Sequence, residues 1–415
     1  MLTGRYGSMP ENEIPLLKGR RILLGVTGSI AAFKAADLAS KLAQAGAEVD
    51  CILTTSAERF VAALSFQALS GRRAYVDADL WSDDGHILHV GLAQTAELLV
   101  IAPATADTIA KLAHGRADSL LTITALAATC PVIVAPAMDA GMFEHAATQA
   151  NLEVLRERGV TIVGPVEGRM ASGLAGLGRM SEPADIVGSI RLVLGKDGQL
   201  AGRKIVVTAG GTQEPLDPVR VLANRSSGKQ GYALAQAALD RGARVTLISA
   251  PSQEIAPIGA VRIDVQTAKE MSQAVLKAVV EADALIMAAA VADFRPRGVS
   301  ECKIKRASGV PEVPLEPTED ILAQVAQQRP EVVVGFAAES EDLIRHATAK
   351  LKSKGLDLVV ANDITAEDAG FATDTNRVTL ISASGGSEEL PLMRKSEVAE
   401  AVMERIEELL GEKPK

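Results

Sequence analysis

The chain alternates short apolar runs with segments whose apolar residues recur every three to four positions. Residues 21–26 (RILLGV) form a continuous apolar run, which predicts a buried strand. The turn Thr27-Gly28-Ser29 then opens an Ala-rich helix to about Ala45, with Ala31, Ala35, Leu38 and Leu42 on one face. Gly46 stands where a helix C-terminal glycine belongs, and Glu48–Leu53 is the next strand, completing a βαβ unit. The alternation continues with strands at 97–104, 131–138 and 160–165 and a helix ending near Ala113. The Gly-rich stretch 168–179 (GRMASGLAGLGR) reads as a long loop, a kind that in compact domains is usually functional or disordered.

After 195–202 (GKDGQLAG) the pattern restarts. Strands are predicted at 204–211, 244–249, 284–291, 332–338, 356–362 and 377–382, and helices over 229–241 and about 395–411. Segments 38–53 and 234–248 look alike because both follow a helix–Gly–strand order. The pattern therefore predicts an α/β protein of two doubly wound, Rossmann-like domains, over 17–195 and 201–415, with ligands at the carboxyl ends of the strands.

The length of 415 residues agrees, since single cores seldom grow that large. Apolar residues make up 47% and aromatic ones only 3%, a balance that suits small-residue helices on parallel strands. The net charge of -9 argues against a nucleic-acid partner. No apolar run reaches the length of a membrane span, and the first 16 residues lack the apolar centre of a signal peptide. Cys51, Cys130 and Cys302 are far apart and form no CxxC pair, so a reducing cytoplasm is expected.

Two strand-to-helix turns carry candidate chemistry. Gly25-Val26-Thr27-Gly28-Ser29 ends at a helix N-terminus, where a phosphate is favoured. It is not GxGxxG, and no acidic ribose ligand follows it, which disfavours a nicotinamide-dependent oxidoreductase. Asn224-Arg225-Ser226-Ser227-Gly228 precedes a helix opening at Lys229; Gln230 follows, so this is not a Walker loop, and a capped helix after a polar loop is the plain alternative.

Four segments in order, GVTGSIAAFK (25–34), TTSA (54–57), APATADTIAKLAHGRADSLL (102–121) and PAMDAGMF (136–143), resemble the flavin-dependent cysteine decarboxylases, in particular phosphopantothenoylcysteine decarboxylase. The resemblance implies flavin mononucleotide (FMN) held by Gly28, Ser29, Ser56, Ala104, Thr105 and Asp107, with His89 as a base near neutrality. It implies oxidation of a cysteinyl thiol to a thioaldehyde, loss of CO2, and return of the electrons to the enethiolate. Asp139 and Met142 fall in the substrate-binding motif, Asp139 where the family has an Asn. Ser172 stands where the family's clamp loop often carries a proton-donating cysteine; His86, His114, His145 and His346 have no such context.

The second half resembles phosphopantothenate–cysteine ligase through TAGGTQEPLDPVRVLANRSSGKQGYALA (208–235), AAAVADFRP (288–296), KIKR (303–306), GFAAE (335–339) and KGLDLVVAND (354–363). The implied chemistry is activation of the substrate carboxylate by CTP as an acyl-cytidylate, which the amine of cysteine then displaces. By the same resemblance Lys303 assists the first half-reaction, Asp293 holds Mg2+, and Asn224 acts on the acyl-cytidylate. Met287, Ala288, Ala289, Glu319, Asp320, Ile321, Leu322 and Phe336 surround the nucleotide, and Lys350 and Lys354, four apart on one helix face, add positive charge.

The order of the two halves is that of the bifunctional coenzyme A biosynthesis enzymes. The family implies 4'-phosphopantothenate, cysteine and CTP as substrates, no membrane or nucleic-acid partner, and trimers of the first domain and dimers of the second combining into a dodecamer. Asp139 and Ser172 leave one alternative, a ligase whose flavin-binding first domain is regulatory and does not decarboxylate.

Overall fold

The structure, a computed structural model, describes residues 12–81, 87–170, 173, 175–305, 312–339, 342–363 and 373–412; His86 and Ser172 lie outside them. The chain falls into two compact units that divide between Leu194 and Gly195.

In the first unit β1 (Arg21–Val26) leads through the 27–31 turn into α1 (Ala32–Gln44) and β2 (Glu48–Leu53). There follow α2 (Ala63–Ser70), β3 (Ala74–Val76), α3 (Leu88–Thr95), β4 (Leu98–Ala104), α4 (Ala106–His114), α5 (Leu120–Ala127) and β5 (Val132–Pro136). Then come α6 (Ala140–Glu144), α7 (Ala146–Glu157), β6 (Thr161–Ile162), β7 (Val166–Arg169), β8 (Ala175–Arg179) and α8 (Pro183–Gly195). Among the described residues the main sheet has the order β3-β2-β1-β4-β5-β6, with every pair parallel. Successive residues of β1 serve opposite faces: Ile22, Leu24 and Val26 join the core under α1, and Leu23 joins the core under α5. On α1, Ala35, Leu38 and Leu42 are buried and Ala31 is half-buried. Gly46 follows the helix at φ 93°, a conformation glycine adopts without strain.

Stretch 168–179 corrects the expected loop. Its residues 168–169 and 175–179 lie in an antiparallel pair, β7 on β8, which bonds Met138 and Ala140 at the start of α6. Its glycines hide the strand pattern because backbone, not side chains, makes the contact. A Cβ on Gly178 would lie 2.3 Å from the Met138 carbonyl oxygen, and one on Gly176 2.8 Å from the Ala140 Cβ.

The second unit begins β9 (Lys204–Ala209), β10 (Gln213–Pro215), β11 (Val221–Ala223), α9 (Lys229–Asp240), β12 (Arg244–Ser249) and β13 (Val261–Asp264). It continues α10 (Ala268–Ala278), β14 (Ala284–Met287), β15 (Phe294–Pro296), β16 (Leu315–Pro317), α11 (Ile321–Val325), β17 (Val332–Glu339), α12 (Leu343–Lys354) and β18 (Leu358–Asp363). It ends β19 (Thr375–Asn376), β20 (Val378–Ser382), β21 (Ser387–Glu389), β22 (Met393–Arg394) and α13 (Lys395–Glu412). The described sheet has the order β13-β12-β9-β14-β17-β18-β20-β21, with β20 and β21 antiparallel. The hairpins β10–β11 and β15–β16 were not foreseen, and β14 stops at Met287 instead of running to 291. In both units the strand order reverses beside the first strand, between β1 and β4 and between β9 and β14, so that a crevice opens at the carboxyl edge.

The last helix, α13, packs on α9 in one apolar cluster, and a cation ties the two together at the end of α9: Arg241 donates to Glu400 at 2.6 Å and bonds Glu407 at 2.8 Å, all three side chains less than one-fifth exposed. Removing a shared buried cation is costly, so Arg241→Ala should destabilise this unit by about 3 kcal/mol. Urea unfolding checks this; the transition of the second unit should move to lower urea, and that of the first should stay in place.

Candidate active sites

At the carboxyl edge of the first sheet three turns meet. Thr27, buried at the end of β1, donates its hydroxyl to the Pro103 carbonyl at 2.7 Å and accepts the Thr105 N–H at 3.1 Å. Gly28 lies so close to the turn after β2 that a Cβ there would sit 2.4 Å from the Ser56 Cβ. Thr105 caps α4 by accepting the Thr108 N–H. The predicted residues Gly28, Ser29, Ser56, Ala104, Thr105 and Asp107 therefore share one edge of the sheet, although Ala104 is fully buried and the Asp107 carboxylate pairs with Lys111 at 3.1 Å. Asp77 went unnoticed in the sequence. Its carboxylate accepts from the N–H and hydroxyl of Thr55 at 2.9 and 2.7 Å and from the N–H of Leu120 at 3.0 Å, fixing the turn that carries Ser56.

His89 lies in the first turn of α3, half-buried, with its Nδ1 buried and unpartnered among the described residues. A helix that leads into a parallel strand runs back from the carboxyl edge, so this first turn faces the crevice side. Asp139 caps the short α6 by accepting the Gly141 N–H at 3.2 Å, and Met142 is exposed on that helix. The hairpin closes on the same segment: Met138 N–H donates to Gly178 O at 3.0 Å, and Ala140 N–H to the Met170 sulfur at 3.2 Å. The open turn at Gly28, exposed Ile30 and Phe33 beside it, and an unpartnered buried imidazole nitrogen suit a planar phosphate-bearing cofactor.

The second unit has a cavity of about 1090 Å³ lined by Asn224–Gly231, Met287–Asp293, Thr318–Leu322 and Phe336, with Lys350 and Lys354. Loop 288–293 leaves the sheet because side-chain hydroxyls and a carbonyl capture its amides. Ala289 N–H donates to Thr208 Oγ1 at 3.1 Å, Ala290 N–H to Gly210 O at 2.8 Å, and Ala292 N–H to Thr212 Oγ1 at 2.9 Å. Asn224 ties its own loop across to Val291 O at 3.1 Å. Lys350 donates to the Phe336 carbonyl at 2.7 Å, and Lys354 forms an ion pair with Asp320, which also caps α11. Partial burial pushes the Asp320 carboxyl up, but Lys354 and the amides opening α11 hold it below the usual carboxylate range.

Two features differ from the sequence reading. Lys303 does not line this cavity: its segment is anchored outside, with Ile304 N–H donating to Asp217 at 3.1 Å and Arg220 to Ile304 O at 3.0 Å. Conversely, Lys229, Gln230, Asn362, Asn376 and Lys395 do line it. Lys229 pairs with Asp374 at 2.5 Å, and Lys395 donates to Thr373 O at 2.6 Å. Burial, then repulsion from Lys229, pushes the Lys395 amine down. Asn362 is only 8% exposed and its Oδ1 is unpartnered among the described residues. Among those residues no three His, Cys, Asp or Glu gather to hold a metal; the carboxylates on the lining are exposed Asp293, Glu319 and Asp320, the last paired with Lys354. That fits an ion bound mainly by substrate phosphates, with few protein ligands.

The folds and sites define a two-unit α/β enzyme, a flavoprotein unit followed by a unit with a nucleotide-sized cationic cavity. Residues 12–195 match the family described as Flavoprotein, and residues 200–410 match the DNA/pantothenate metabolism flavoprotein C-terminal domain. The chain is 45% identical over 395 residues to the coenzyme A biosynthesis bifunctional protein CoaBC of Bacillus subtilis (strain 168), covering 94% of this chain and 97% of that one. It is 43% identical over 404 residues to the protein of the same name from Mycobacterium tuberculosis (strain ATCC 25618 / H37Rv), covering 93% and 96%. Among solved structures, the C-terminal domain of a CoaBC protein covers 52% of this chain and all of its own, at 36% identity and TM-score 0.45. The FMN binding protein AtHal3 covers 42% of this chain and 96% of its own, at 36% identity and TM-score 0.38.

The chain belongs to the CoaBC family of bifunctional coenzyme A biosynthesis proteins, with decarboxylase and ligase activities. Among the described residues no helix is long and apolar enough to cross a membrane.

Because a Cβ at Gly28 would collide with Ser56, Gly28→Ala should yield protein that has lost most of its visible flavin absorbance while its ligase rate is unchanged. Absorbance spectra of the purified variant, set beside a ligase assay, check this.

Proposed function

We propose that the second unit joins 4'-phosphopantothenate to cysteine at the cost of CTP, through an acyl-cytidylate, and that the first unit decarboxylates the product to 4'-phosphopantetheine with FMN. The observation that supports the ligase reading best is the convergence of separate motifs on one cavity: Asn224, Met287–Ala289, Asp293, Glu319–Leu322, Phe336, Lys350 and Lys354. The cytidine half of the nucleotide is assigned to Met287, Ala288, Ala289 and Phe336, and its phosphates to Lys350 and Lys354, with Mg2+ carried in against Asp293. Attack of a carboxylate on phosphorus needs charge screening more than covalent help, which these cations supply. Asn224 is assigned the acyl-cytidylate carbonyl: its neutral amide, held by Val291 O, can hydrogen-bond a mixed anhydride without consuming it. Lys303 is assigned to the first half-reaction by its motif alone, since its segment is anchored at Asp217 outside the cavity. Lys229 and Lys395, which also line the cavity and are held by Asp374 and Thr373 O, are assigned the phosphomonoester of the acid substrate.

In the first unit, Gly28 and Ser29 are assigned the flavin phosphate, and Ser56, Thr105 and Asp107 the rest of the cofactor. FMN, when bound, supplies a two-electron acceptor for the cysteinyl thiol. His89 takes the thiol proton, and the buried Nδ1 is the atom assigned to that contact. Asp139 and Met142 are assigned the substrate, and Ser172 keeps the place its motif gives it, where the family's clamp loop often carries a proton-donating cysteine. Asp139 caps α6 through a bond to Gly141 N–H that an Asn Oδ1 would make equally, so the local turn is kept with the carboxylate in place. Exposed Ile30, Phe33, Phe60 and Leu64 suit contacts between copies, in line with trimers of this unit and dimers of the other forming a dodecamer.

A single reaction holding 4'-phosphopantothenate, cysteine, CTP and Mg2+, followed by mass, should give phosphopantetheine. His89→Asn should stop at phosphopantothenoylcysteine with flavin still bound, slowing CO2 release at least about 100-fold. Full turnover by that variant would remove His89 from the chemistry, and accumulation of the intermediate by the unaltered protein would restore the regulatory alternative.

A further inference from the structure

Lys34 ends the first flavin-side motif, yet the chemistry above gives it no part. It lies in the first turn of α1 and is only 8% exposed. Its ammonium donates to the Met180 carbonyl at 3.1 Å and to Glu182 Oε1 at 2.9 Å. Met180 is the residue directly after β8, and Glu182 also accepts from Arg179, the last residue of β8, at 2.6 Å. Lys34 thus holds the base of the hairpin at the same end of the helix that begins beside Gly28 and Ser29. Farther along, the hairpin is held by Met138 and Ala140, which flank Asp139.

Packing alone does not call for a lysine here. Burying an ammonium is costly unless its charge and hydrogens are met, and Leu or Met would fill the space without that cost. What a lysine adds is a directional tie between two segments 146 residues apart in sequence. The hydrogen bond from Lys34 is the first cause holding the Glu182 carboxyl below the usual carboxylate range.

We propose that Lys34 is a positioning residue of the decarboxylase, seating hairpin β7–β8 over the substrate segment and linking that closure to the helix assigned to the flavin phosphate. The inference rests on the reading that this hairpin covers the substrate. The test compares Lys34→Met, Lys34→Arg and Glu182→Gln in the full chain. It measures KM and kcat for decarboxylation of phosphopantothenoylcysteine, flavin absorbance, and tryptic cleavage at Arg169 and Arg179, with the ligase rate of the same chain as internal control.

Lys34→Met should raise KM about ten-fold or more, since misplacing a binding element costs on that scale. Flavin content and ligase rate should hold, and tryptic cleavage of the hairpin should quicken. Lys34→Arg should restore most of the KM, and Glu182→Gln should raise it less than Lys34→Met does. A merely structural lysine would instead lower flavin content and kcat together and leave KM in place, which would overturn the inference. If Lys34→Met fails to fold, Glu182→Gln decides: an unchanged KM and cleavage rate overturns it. Gly176→Val, whose side chain would push the hairpin off Ala140, separates the two readings. A raised KM there beside an unmoved KM in Lys34→Met sinks the role of Lys34 alone. An unmoved KM in Gly176→Val removes the covering hairpin, and the inference with it.

Discussion

One buried hydroxyl beside the reversal in strand order shapes the carboxyl edge of each sheet. At such a reversal the helices following two neighbouring strands go to opposite faces, and the backbone turns between them would be left with unmatched polar groups in a buried crevice. Thr27 meets this in the first unit by donating to Pro103 O and accepting from Thr105 N–H, so that one side chain satisfies a group on each side of the turn after β4. Thr208 does the equivalent in the second unit, accepting the Ala289 N–H at 3.1 Å as loop 288–293 departs, and Thr212 takes the Ala292 N–H at 2.9 Å three residues later in the same loop. A buried group stripped of such a partner costs about 1–3 kcal/mol, large beside the margin by which a domain is stable. These hydroxyls let the crevice walls leave the sheet without stranding buried amides and carbonyls.

The main sheets were legible in the sequence because their strands are buried on both faces and read as unbroken apolar runs. RILLGV and the 97–104 run came through with their limits shifted by at most one residue. Where side chains do not make the contact, the pattern is silent. Gly176 and Gly178 build a strand whose packing surface is backbone, and β10, β11, β15 and β16 are too short to show a period of two. β14 ended early for a different reason: Ala288 to Val291 are as apolar as any strand, but their amides find better partners in Thr208 and Gly210. Composition cannot report such a choice.

The candidate sites divide along the same line. Motif residues that are contiguous and close to strand ends, such as Gly28, Ser56 and Met287–Ala289, gather at the carboxyl edges of the two sheets. Lys395 and Asn362 reach the second cavity from the first residue of the last helix and the far end of β18, positions whose roles depend on long-range placement alone. Lys303 shows the converse. Its motif is legible, but Asp217 captures its neighbour Ile304. Desolvation raises the Asp217 carboxyl, yet the Val219, Ile304 and Arg220 amides and the Arg220 guanidinium outweigh it, so that carboxylate stays charged and the anchor stays made at neutral pH.

The two sites also treat anions differently. In the first, hydroxyls and backbone surround the turn at Gly28, and the neighbouring cations are engaged elsewhere: Lys34 with Met180 and Glu182, and Lys111 with Asp107 and Asp118. In the second, four lysines line one cavity, and like charges so close would repel one another strongly in a partly desolvated space. Each is instead held by an internal acceptor: Lys229 by Asp374, Lys354 by Asp320, Lys350 by Phe336 O and Lys395 by Thr373 O. A polyanion entering the cavity therefore competes with acceptors already in place, and its gain is the difference between two sets of charge-assisted bonds. Such an exchange favours ligands that can engage several lysines at once, because a single phosphate replaces one internal partner while a triphosphate replaces more than one.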